Sequence, residues 1–255
     1  MVRVVLAAAQ CAKGDIEANV AMHAAVLADA RSHDADLVVF PEMSLTGSVD
    51  PRRHAERLIT IRGPEVDAML AATCDTRAAV VFGIAERDGD DACITQCIAR
   101  DGALVATARK RHLGEDEEGF RAGSTRTVFE HAGTTIGLLI CAESTVDYVF
   151  DDAVDAGARL VCFCAAPGLY GRRTTDADRA AGLAWWESAG LADACRHARR
   201  RRVWVALATQ AGATVDEDFP GLAALVDPNG EVVARTPDWH PATLVASLDP
   251  FSSEK

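Results

Sequence analysis

The sequence predicts an α/β fold in one domain that covers residues 1–255. Nearly continuous apolar runs, typical of strands buried on both faces, alternate with segments whose apolar residues recur with the period of a helix. Short turn motifs between neighbouring strands indicate hairpins. The chain is 49% hydrophobic over 255 residues, which is enough for one sizeable core. Helices are expected to cover both faces of the sheets.

The first half begins with a predicted strand at residues 2–9. An amphipathic helix follows at residues 15–31, where the apolar positions keep a period of 3.6. The further strands predicted here are residues 37–40, 79–85, 92–100 and 104–109. Asp101 and Gly102 separate the last two, and this dipeptide is a strong signal for a two-residue hairpin turn. Mixed parallel and antiparallel pairing is therefore expected.

The second half repeats the alternation of strand and helix. The predicted elements are a strand from residue 133 to Cys141, a short helix at 151–158, a strand at 159–165, a long helix at 176–202 and a strand at 203–209. A second hairpin is predicted from residues 221–226 and 231–236, around a turn rich in Asp, Pro, Asn and Gly.

Charge and composition exclude several classes of partner. The formal net charge is −12, whereas nucleic-acid binding depends on neutralising phosphates with lysine and arginine, so no nucleic-acid partner is expected. The basic run at residues 197–202 fits cations at a helix C-terminus. No apolar stretch approaches the ~18 residues of a membrane span. The start of the chain lacks the apolar region of a signal peptide, so we expect a cytoplasmic protein with free thiols.

Two cysteine pairs invite a metal-site interpretation. Cys93 and Cys97, like Cys162 and Cys164, lie inside apolar runs with no matching pair of ligands beside them. Zinc normally needs four ligands in one place, so neither a metal nor another cofactor is predicted. Because side chains alternate along a strand, Cys162 and Cys164 share one face and are expected to pack there as a thiol pair.

Three polar residues follow predicted strands and form a candidate catalytic site. Cys141 ends an apolar strand, Glu42 follows another, and Lys110 follows a third. A cysteine attacks as its thiolate and needs a base, which Glu42 can provide. Lys110 and the N–H of Ala142 can stabilise an oxyanion. Taken singly, each residue has a simpler interpretation: an inert core thiol, a solvated acid and a solvated basic strand end.

The sequence around these residues resembles the nitrilase, or carbon–nitrogen hydrolase, superfamily. The matching segments, in the order of the family, are residues 8–10, 14–20 and 36–47 around Glu42, residues 110–113 with Glu117 and Phe120-x-x-Gly123, residues 137–143 with Cys141-x-Glu143, and residues 227–231. The resemblance implies a four-layer α-β-β-α sandwich, commonly assembled into homodimers or larger species.

The resemblance also assigns roles to the candidate residues. It implies Glu42 as the general base, Lys110 as the oxyanion stabiliser and Cys141 as the nucleophile. A second glutamate should contact the lysine; the spacing to the following motif favours Glu117, with Glu118 as the alternative.

The chain departs from the family at Ala142, where many members have an aromatic residue. The pocket wall beside the nucleophile is therefore expected to be roomier. Arg172 and Arg173 lie in a loop that leaves a strand near the expected site. A bidentate contact to a substrate carboxylate and a solvated surface pair are both open for these arginines.

The combined hypothesis is a thiol-dependent, metal-independent carbon–nitrogen hydrolase acting on a small linear amide or N-carbamoyl compound. A Cys141 thioester would be its intermediate. Nitrile hydrolysis by the same Glu-Lys-Cys triad is one alternative. A cysteine hydrolase with a histidine base and a non-catalytic binding member of the fold are the others.

Overall fold

The computed structural model describes residues 1–251, so residues 252–255 of the predicted domain lie outside it. Its strands are β1 (Val2–Ala8), β2 (Leu37–Val39), β3 (Ala79–Asp88), β4 (Asp91–Arg100), β5 (Ala103–Arg109), β6 (Val128–His131), β7 (Thr134–Ile140), β8 (Leu160–Ala165), β9 (Trp204–Thr209), β10 (Ala211–Ala213), β11 (Asp218–Pro220), β12 (Ala223–Val226), β13 (Val232–Arg235) and β14 (Ala242–Leu248). Its α-helices are α1 (Ile16–Ser32), α2 (Pro64–Ala72), α3 (Asp147–Asp155), α4 (Asp176–Trp186) and α5 (Ala192–Arg201).

Two six-stranded sheets form the centre of the molecule. Their strand orders are β14-β1-β2-β3-β4-β5 and β13-β12-β9-β8-β7-β6. Strands β1 to β3 pair in parallel, as do β7 to β9, whereas the outer pairs in both sheets are antiparallel. The prediction of mixed pairing is confirmed.

The layers are helix, sheet, sheet and helix. Between the sheets, β1 residues such as Leu6 pack in one cluster with Cys162 and Ala206 of the second sheet. Helices α1 and α2 cover the outer face of the first sheet, and α3, α4 and α5 cover the outer face of the second. The four-layer α-β-β-α sandwich expected from the resemblance is confirmed.

Local signals in the sequence account for several boundaries. Asp15 caps α1 because its side chain accepts a hydrogen bond of 3.0 Å from the N–H of Ala18. Asp101 and Gly102 have φ angles of 51° and 76°, the left-handed conformation that a tight turn between antiparallel strands requires. The predicted hairpin of β4 and β5 is thus confirmed.

Two helices differ from the prediction. The helix expected at residues 151–158 is α3, which begins four residues earlier and ends before Gly157, whose φ of 97° is incompatible with a continuing helix. The helix expected at residues 176–202 is interrupted by a π-helical turn, Glu187–Leu191. There the Trp186 ring lies directly over Gly190. A Cβ atom on residue 190 would lie only 2.2 Å from the ring.

The sequence analysis did not predict α2, β6, β10, β11 or β14. Strands β10 and β11 have three residues each, and β6 and β14 lie at sheet edges. Three residues are too few to show an alternating pattern, and the edge strands β6 and β14 bury few of their side chains. Within residues 1–251, no helix combines the length and apolar content that a bilayer crossing requires.

The basic run at the end of α5 pairs with acidic residues on α3. These acidic residues are spaced four apart on one face of α3. The pairs are Arg196 with Asp147 at 2.7 Å, Arg200 with Asp151 at 2.7 Å and Arg201 with Asp155 at 2.5 Å. The arginines therefore join two helices of the outer layer.

Candidate active site

The ends of three strands meet at one edge of the sandwich. Lys110 directly follows β5, and Glu42 is the third residue after β2; both strands belong to the first sheet. Cys141 directly follows β7, which belongs to the second sheet. Because the two sheets pack face to face, residues far apart in sequence converge there. The site therefore lies between the sheets and draws on both.

Lys110 links two carboxylates. Its side chain is fully buried, and its Nζ donates to Glu42 Oε1 at 2.8 Å and to Glu117 Oε1 at 2.5 Å. Glu118 points elsewhere: 76% of its side chain is exposed, and it pairs with Arg52 at 3.2 Å. Glu117, and not Glu118, is thus the glutamate in contact with the lysine.

The carboxylate of Glu42 is held from several directions. Its Oε1 accepts the bond from Lys110, and its Oε2 accepts a bond of 3.0 Å from the N–H of Ala166 after β8. Its main-chain carbonyl accepts a bond of 2.9 Å from Gln210 Nε2. The thiol of Cys141 is near enough to the Glu42 side chain for each group to shift the pKa of the other. These contacts leave Glu42 one orientation, between the lysine and the thiol.

Burial shifts the protonation of this group. Burial raises the pKa of Glu42 above its usual value, although the charge of Lys110 opposes the shift. Burial, reinforced by the Glu42 carboxylate, raises the pKa of the Cys141 thiol well above its usual value. Burial disfavours the charged form of Lys110 and acts to lower its pKa. The negative charges of Glu42, Cys141 and Glu117 outweigh this effect, so the pKa of the lysine is raised. The raised pKa values of Cys141 and Lys110 favour a thiol and an ammonium in the resting site.

Cys141 occupies a strained position at the start of a 3₁₀ turn, Cys141–Thr145. Its φ is 43°, in the left-handed region that non-glycine residues seldom adopt, and such strain is common at functional sites. The first N–H groups of a helical turn lack an acceptor within the turn. The N–H of Ala142 belongs to this set, beside the thiol.

Glu143 holds the cysteine turn against the lysine strand. It is buried; its Oε2 accepts a bond of 2.7 Å from the N–H of Ile140, and its Oε1 a bond of 2.5 Å from the N–H of Arg111. Burial raises its pKa to about 7, and the two N–H bonds oppose this shift. One side chain thus fixes both the residue before Cys141 and the residue after Lys110.

The sequence analysis missed three contributors to this geometry. Glu143 was noted only as part of a motif, although its place two residues after the cysteine was a usable signal. The N–H of Ala166 and the side chain of Gln210 follow β8 and β9 and gave no sequence signal, because their contacts with Glu42 depend on how the sheets pack.

Two cavities meet beside these residues. The cavity that Cys141 and Ala142 line has a volume of about 520 Å³, and a second, lined by Met43 next to Glu42, has about 300 Å³. Both are also lined by Asp116, Glu117 and Ala166. Cys141 is therefore open to small molecules through the larger cavity, and the smaller one adjoins it.

Other candidates from the sequence lie outside the Cys141 cavity. Arg172 pairs with Asp218 at 2.9 Å, and Arg173 donates to the carbonyl of Leu169 at 2.5 Å; neither lines the cavity. Through these contacts the two arginines stabilise the loop that carries them. The described residues that line the cavity include no histidine. Cys162 and Cys164 are free and buried in the core between the sheets, the expected packed thiol pair.

A model of the carbon-nitrogen hydrolase family matches residues 5–254. The chain belongs to the carbon-nitrogen hydrolase family. The membership that the sequence motifs predicted is thereby confirmed, and the α/β fold agrees with it.

This carbon-nitrogen hydrolase is similar to proteins with nitrilase and amidase names. An aliphatic nitrilase from Rhodococcus rhodochrous is 33% identical over 136 residues, 46% of this chain and 37% of that enzyme. A bifunctional nitrilase/nitrile hydratase NIT4A from Lupinus angustifolius is 27% identical over 259 residues, 88% of this chain and 71% of that protein. The chain therefore spans little more than a third of the first relative and over two thirds of the second.

A solved structure shares the fold. A mutant of the amidase from Nesterenkonia sp. AN1, with the acetamide moiety of fluoroacetamide added covalently at its active-site cysteine, has a TM-score of 0.83. The match covers 99% of this carbon-nitrogen hydrolase and 92% of that chain, at 20% identity. Similarity at this level shows the common fold.

Proposed function

We propose that this carbon-nitrogen hydrolase cleaves small linear amides through a thioester on Cys141. One observation carries the proposal: the Glu42 carboxylate binds the Lys110 ammonium and lies near the Cys141 thiol, which lines a cavity of about 520 Å³. A base, a cation and a nucleophile close together suit acyl transfer.

In the first half-reaction, Cys141 Sγ attacks the amide carbonyl carbon and its proton passes to Glu42. The carbonyl oxygen becomes an oxyanion. The main-chain N–H of Ala142 and the ammonium of Lys110 stabilise it. An ammonium has three N–H donors, so one remains for the oxyanion after the bonds to Glu42 and Glu117. The C–N bond then breaks as Glu42 returns the proton to the leaving nitrogen.

In the second half-reaction, water replaces the departed amine. Glu42 accepts a proton from the water, whose oxygen attacks the thioester carbon. Collapse of this second oxyanion expels Cys141, which regains its proton, and releases a carboxylic acid. The raised pKa of Glu42 suits both steps, because a base with a pKa nearer to neutrality can also donate the proton.

Nitrile hydrolysis is the second candidate. The same thiol could add to a nitrile carbon, and two relatives of this chain have nitrilase in their names. The solved structure of the same fold is that of an amidase, which supports the amide as the first candidate. A histidine-based thiol enzyme is less well supported, because the described cavity lining contains no histidine. A closed, non-catalytic pocket does not fit a cavity of about 520 Å³ at Cys141.

The test is to incubate the protein with a panel of amides, N-carbamoyl compounds and nitriles, and to measure acid release together with the intact mass. We expect turnover of amides and an acyl adduct that maps to Cys141. The Cys141→Ala variant should lose both, whereas Cys74→Ala, which removes an exposed free thiol, should retain both. Turnover of amides by Cys141→Ala would refute the proposal. Turnover of nitriles without amides would favour the second candidate.

A further inference from the structure

The cavity at Cys141 has an aromatic and aliphatic wall beyond the reacting atoms. Tyr170 in the loop after β8 forms one side, and the end of α4 with the π-helical turn forms the other. The α4 side contributes Trp185, Trp186, Ala189 and Gly190. A cavity of this size with mostly apolar walls suits an apolar group considerably larger than an amide.

The π-helical turn shapes this wall. It places Ala189 and Gly190 on the cavity while Trp186 folds across Gly190, which only a residue without a Cβ atom permits. π turns inside α-helices are rare and occur frequently at functional sites. The irregularity of the helix therefore lies at the cavity and not at a distant surface.

Ala142 connects this wall to the nucleophile. It lines the same cavity as Cys141 and Trp185 and adds only a methyl group to it. A large side chain at residue 142 would take up part of the space next to the thiol. The small residue thus leaves a continuous space from the sulfur to the aromatic wall.

The acyl side of the substrate lies in the cavity of Cys141. In the thioester the acyl group is bonded to Cys141, so it lies in the cavity that Cys141 lines. The leaving nitrogen takes its proton from Glu42 and can depart into the second cavity, where polar residues such as Lys13, Arg53 and His54 lie. The aromatic wall is therefore on the acyl side.

Charge further limits the acyl group. The cavity is lined by Glu115, Asp116, Glu117 and Asp193, and none of its described lining residues is lysine, arginine or histidine. Lys110 neutralises Glu117 and Arg196 pairs with Asp193 at 3.2 Å, but these contacts leave no cation in the lining itself. A carboxylate on the acyl group would face like charges without a partner.

We propose that the substrate is an amide whose acyl group is an extended apolar chain or ring without a negative charge, lying over Ala142 against Trp185, Tyr170 and the π-helical turn. This inference rests on the proposed amide hydrolysis. An N-carbamoyl compound that loses its amine leaves only a carbamoyl group on the thiol and does not fill the cavity, whereas loss of ammonia leaves the N-substituted carbamoyl group there.

The first test is a series of primary amides: acetamide, butyramide, hexanamide and phenylacetamide. We expect kcat/KM to rise about fourfold for each methylene group that is fully buried, and phenylacetamide to exceed acetamide. Adipamate, which adds a terminal carboxylate to a chain of the same carbon number, should react at least about tenfold more slowly than hexanamide.

Variants locate the effect in the cavity. Ala189→Phe narrows the wall and should lower the ratio of kcat/KM for hexanamide to that for acetamide by about tenfold. Ala184→Phe is the matched control, because Ala184 is an exposed residue of the same helix outside the cavity lining. It should leave the ratio unchanged. If Ala189→Phe does not fold, Trp185→Ala removes an exposed part of the wall and should lower the same ratio.

Short amides that react as well as long ones would overturn this inference and leave Cys141-dependent hydrolysis standing. An equal fall of the ratio in Ala189→Phe and Ala184→Phe would also overturn it. Absence of turnover and of Cys141 adducts with every amide would contradict the proposed function, and this inference with it.

Discussion

Lys110 is a charged side chain with no exposed surface, and its two carboxylate partners determine how such a charge is tolerated. The buried ammonium touches Glu42 and Glu117, and its hydrogen bonds offset part of the cost of removing three charges from water. The same arrangement places a fixed cation beside the Cys141 thiol. Stability and the proposed chemistry therefore depend on the same few atoms.

Replacing Lys110 tests this dependence. Lys110→Met leaves two buried carboxylates facing each other, so the free energy of unfolding should fall by about 3–5 kcal/mol at pH 7.5. Burial already raises the folded-state pKa of Glu42 above its usual value, and loss of the opposing Lys110 charge raises it further. The stability cost of the ionised Glu42 is therefore present at neutral pH and should shrink as the pH falls towards its usual pKa of 4.5. Urea denaturation at pH 5 and pH 7.5 measures the difference.

Lys13→Met is the control for this prediction. Lys13 also pairs with two carboxylates, Asp216 and Glu217, but 64% of the Asp216 side chain is exposed. Its loss should cost about 1 kcal/mol or less. A loss in Lys110→Met that is no larger, or that grows towards low pH, would contradict the structural role given to Lys110.

Glu42 should control the acid side of the pH profile. Burial raises its pKa above the usual 4.5, and a general base works only when ionised. As the pH is lowered, kcat/KM should therefore begin to fall at a pH above 4.5. Glu42→Gln should lower kcat/KM by about 10²- to 10⁴-fold and remove this step. The measurement is kcat/KM for one amide from pH 4 to pH 9; an acid step in the wild type at or below 4.5 would contradict the assignment.

At the scale of single elements, the site depends on where strands end and how closely they approach. Gly83 of β3 lies against the chain that leaves β2: a Cβ atom there would lie 2.2 Å from the N of Met43 and 2.9 Å from the C of Glu42. Main-chain atoms cannot move aside as the end of a flexible side chain can. The position of Glu42 is therefore set by a neighbouring strand as well as by its own hydrogen bonds.

Gly83→Ala should displace Glu42 without removing a reacting group. We expect a fall in kcat/KM of at least about tenfold, since small misplacements of catalytic groups are costly, and a loss of about 1–3 kcal/mol in stability from overpacking. Steady-state kinetics and thermal unfolding measure the two effects. In the control Gly63→Ala, the new Cβ meets mainly the side-chain ends of Glu65 and Thr60, so activity should persist. Equal activity in the two variants would contradict the argument.

At the scale of the whole molecule, two sheets must pack together before a site exists. Glu42 and Lys110 belong to one sheet, and Cys141 belongs to the other. The core between the sheets therefore holds the reacting groups in register. Assembly into a homodimer and a cytoplasmic location stay predictions.

Metal independence is a prediction about the whole enzyme. The proposed chemistry uses a thiol, a carboxylate and an ammonium, and residues 1–251 contain no group of three or more His, Cys, Asp or Glu side chains arranged to hold a metal ion. Dialysis against EDTA should leave amide hydrolysis unchanged. Iodoacetamide should abolish it in the wild type and in Cys74→Ala alike, because Cys141 is the thiol that matters. A loss of activity on EDTA treatment that a divalent metal restores would contradict the prediction.

The sequence predicted more of the fold than of the site. Long buried strands and capped helices follow local patterns, so β1, α1 and the β4–β5 hairpin were found close to their observed bounds. Helix α3 was placed four residues too late because the 3₁₀ turn after Cys141 leads directly into it. The π-helical turn was missed because the period of apolar residues continues across it.

The sequence by itself determined the order of strands and helices, the family, and the residue types at three strand ends. These features depend on neighbours close along the chain, whose periodicity and turn residues are readable. The tertiary structure decided that Lys110 contacts Glu117 while Glu118 turns to Arg52, that the Ala166 N–H holds Glu42, and that the space beside Ala142 reaches Trp185. Such contacts join residues far apart in sequence, and their geometry exists only once the two sheets and their helices have packed.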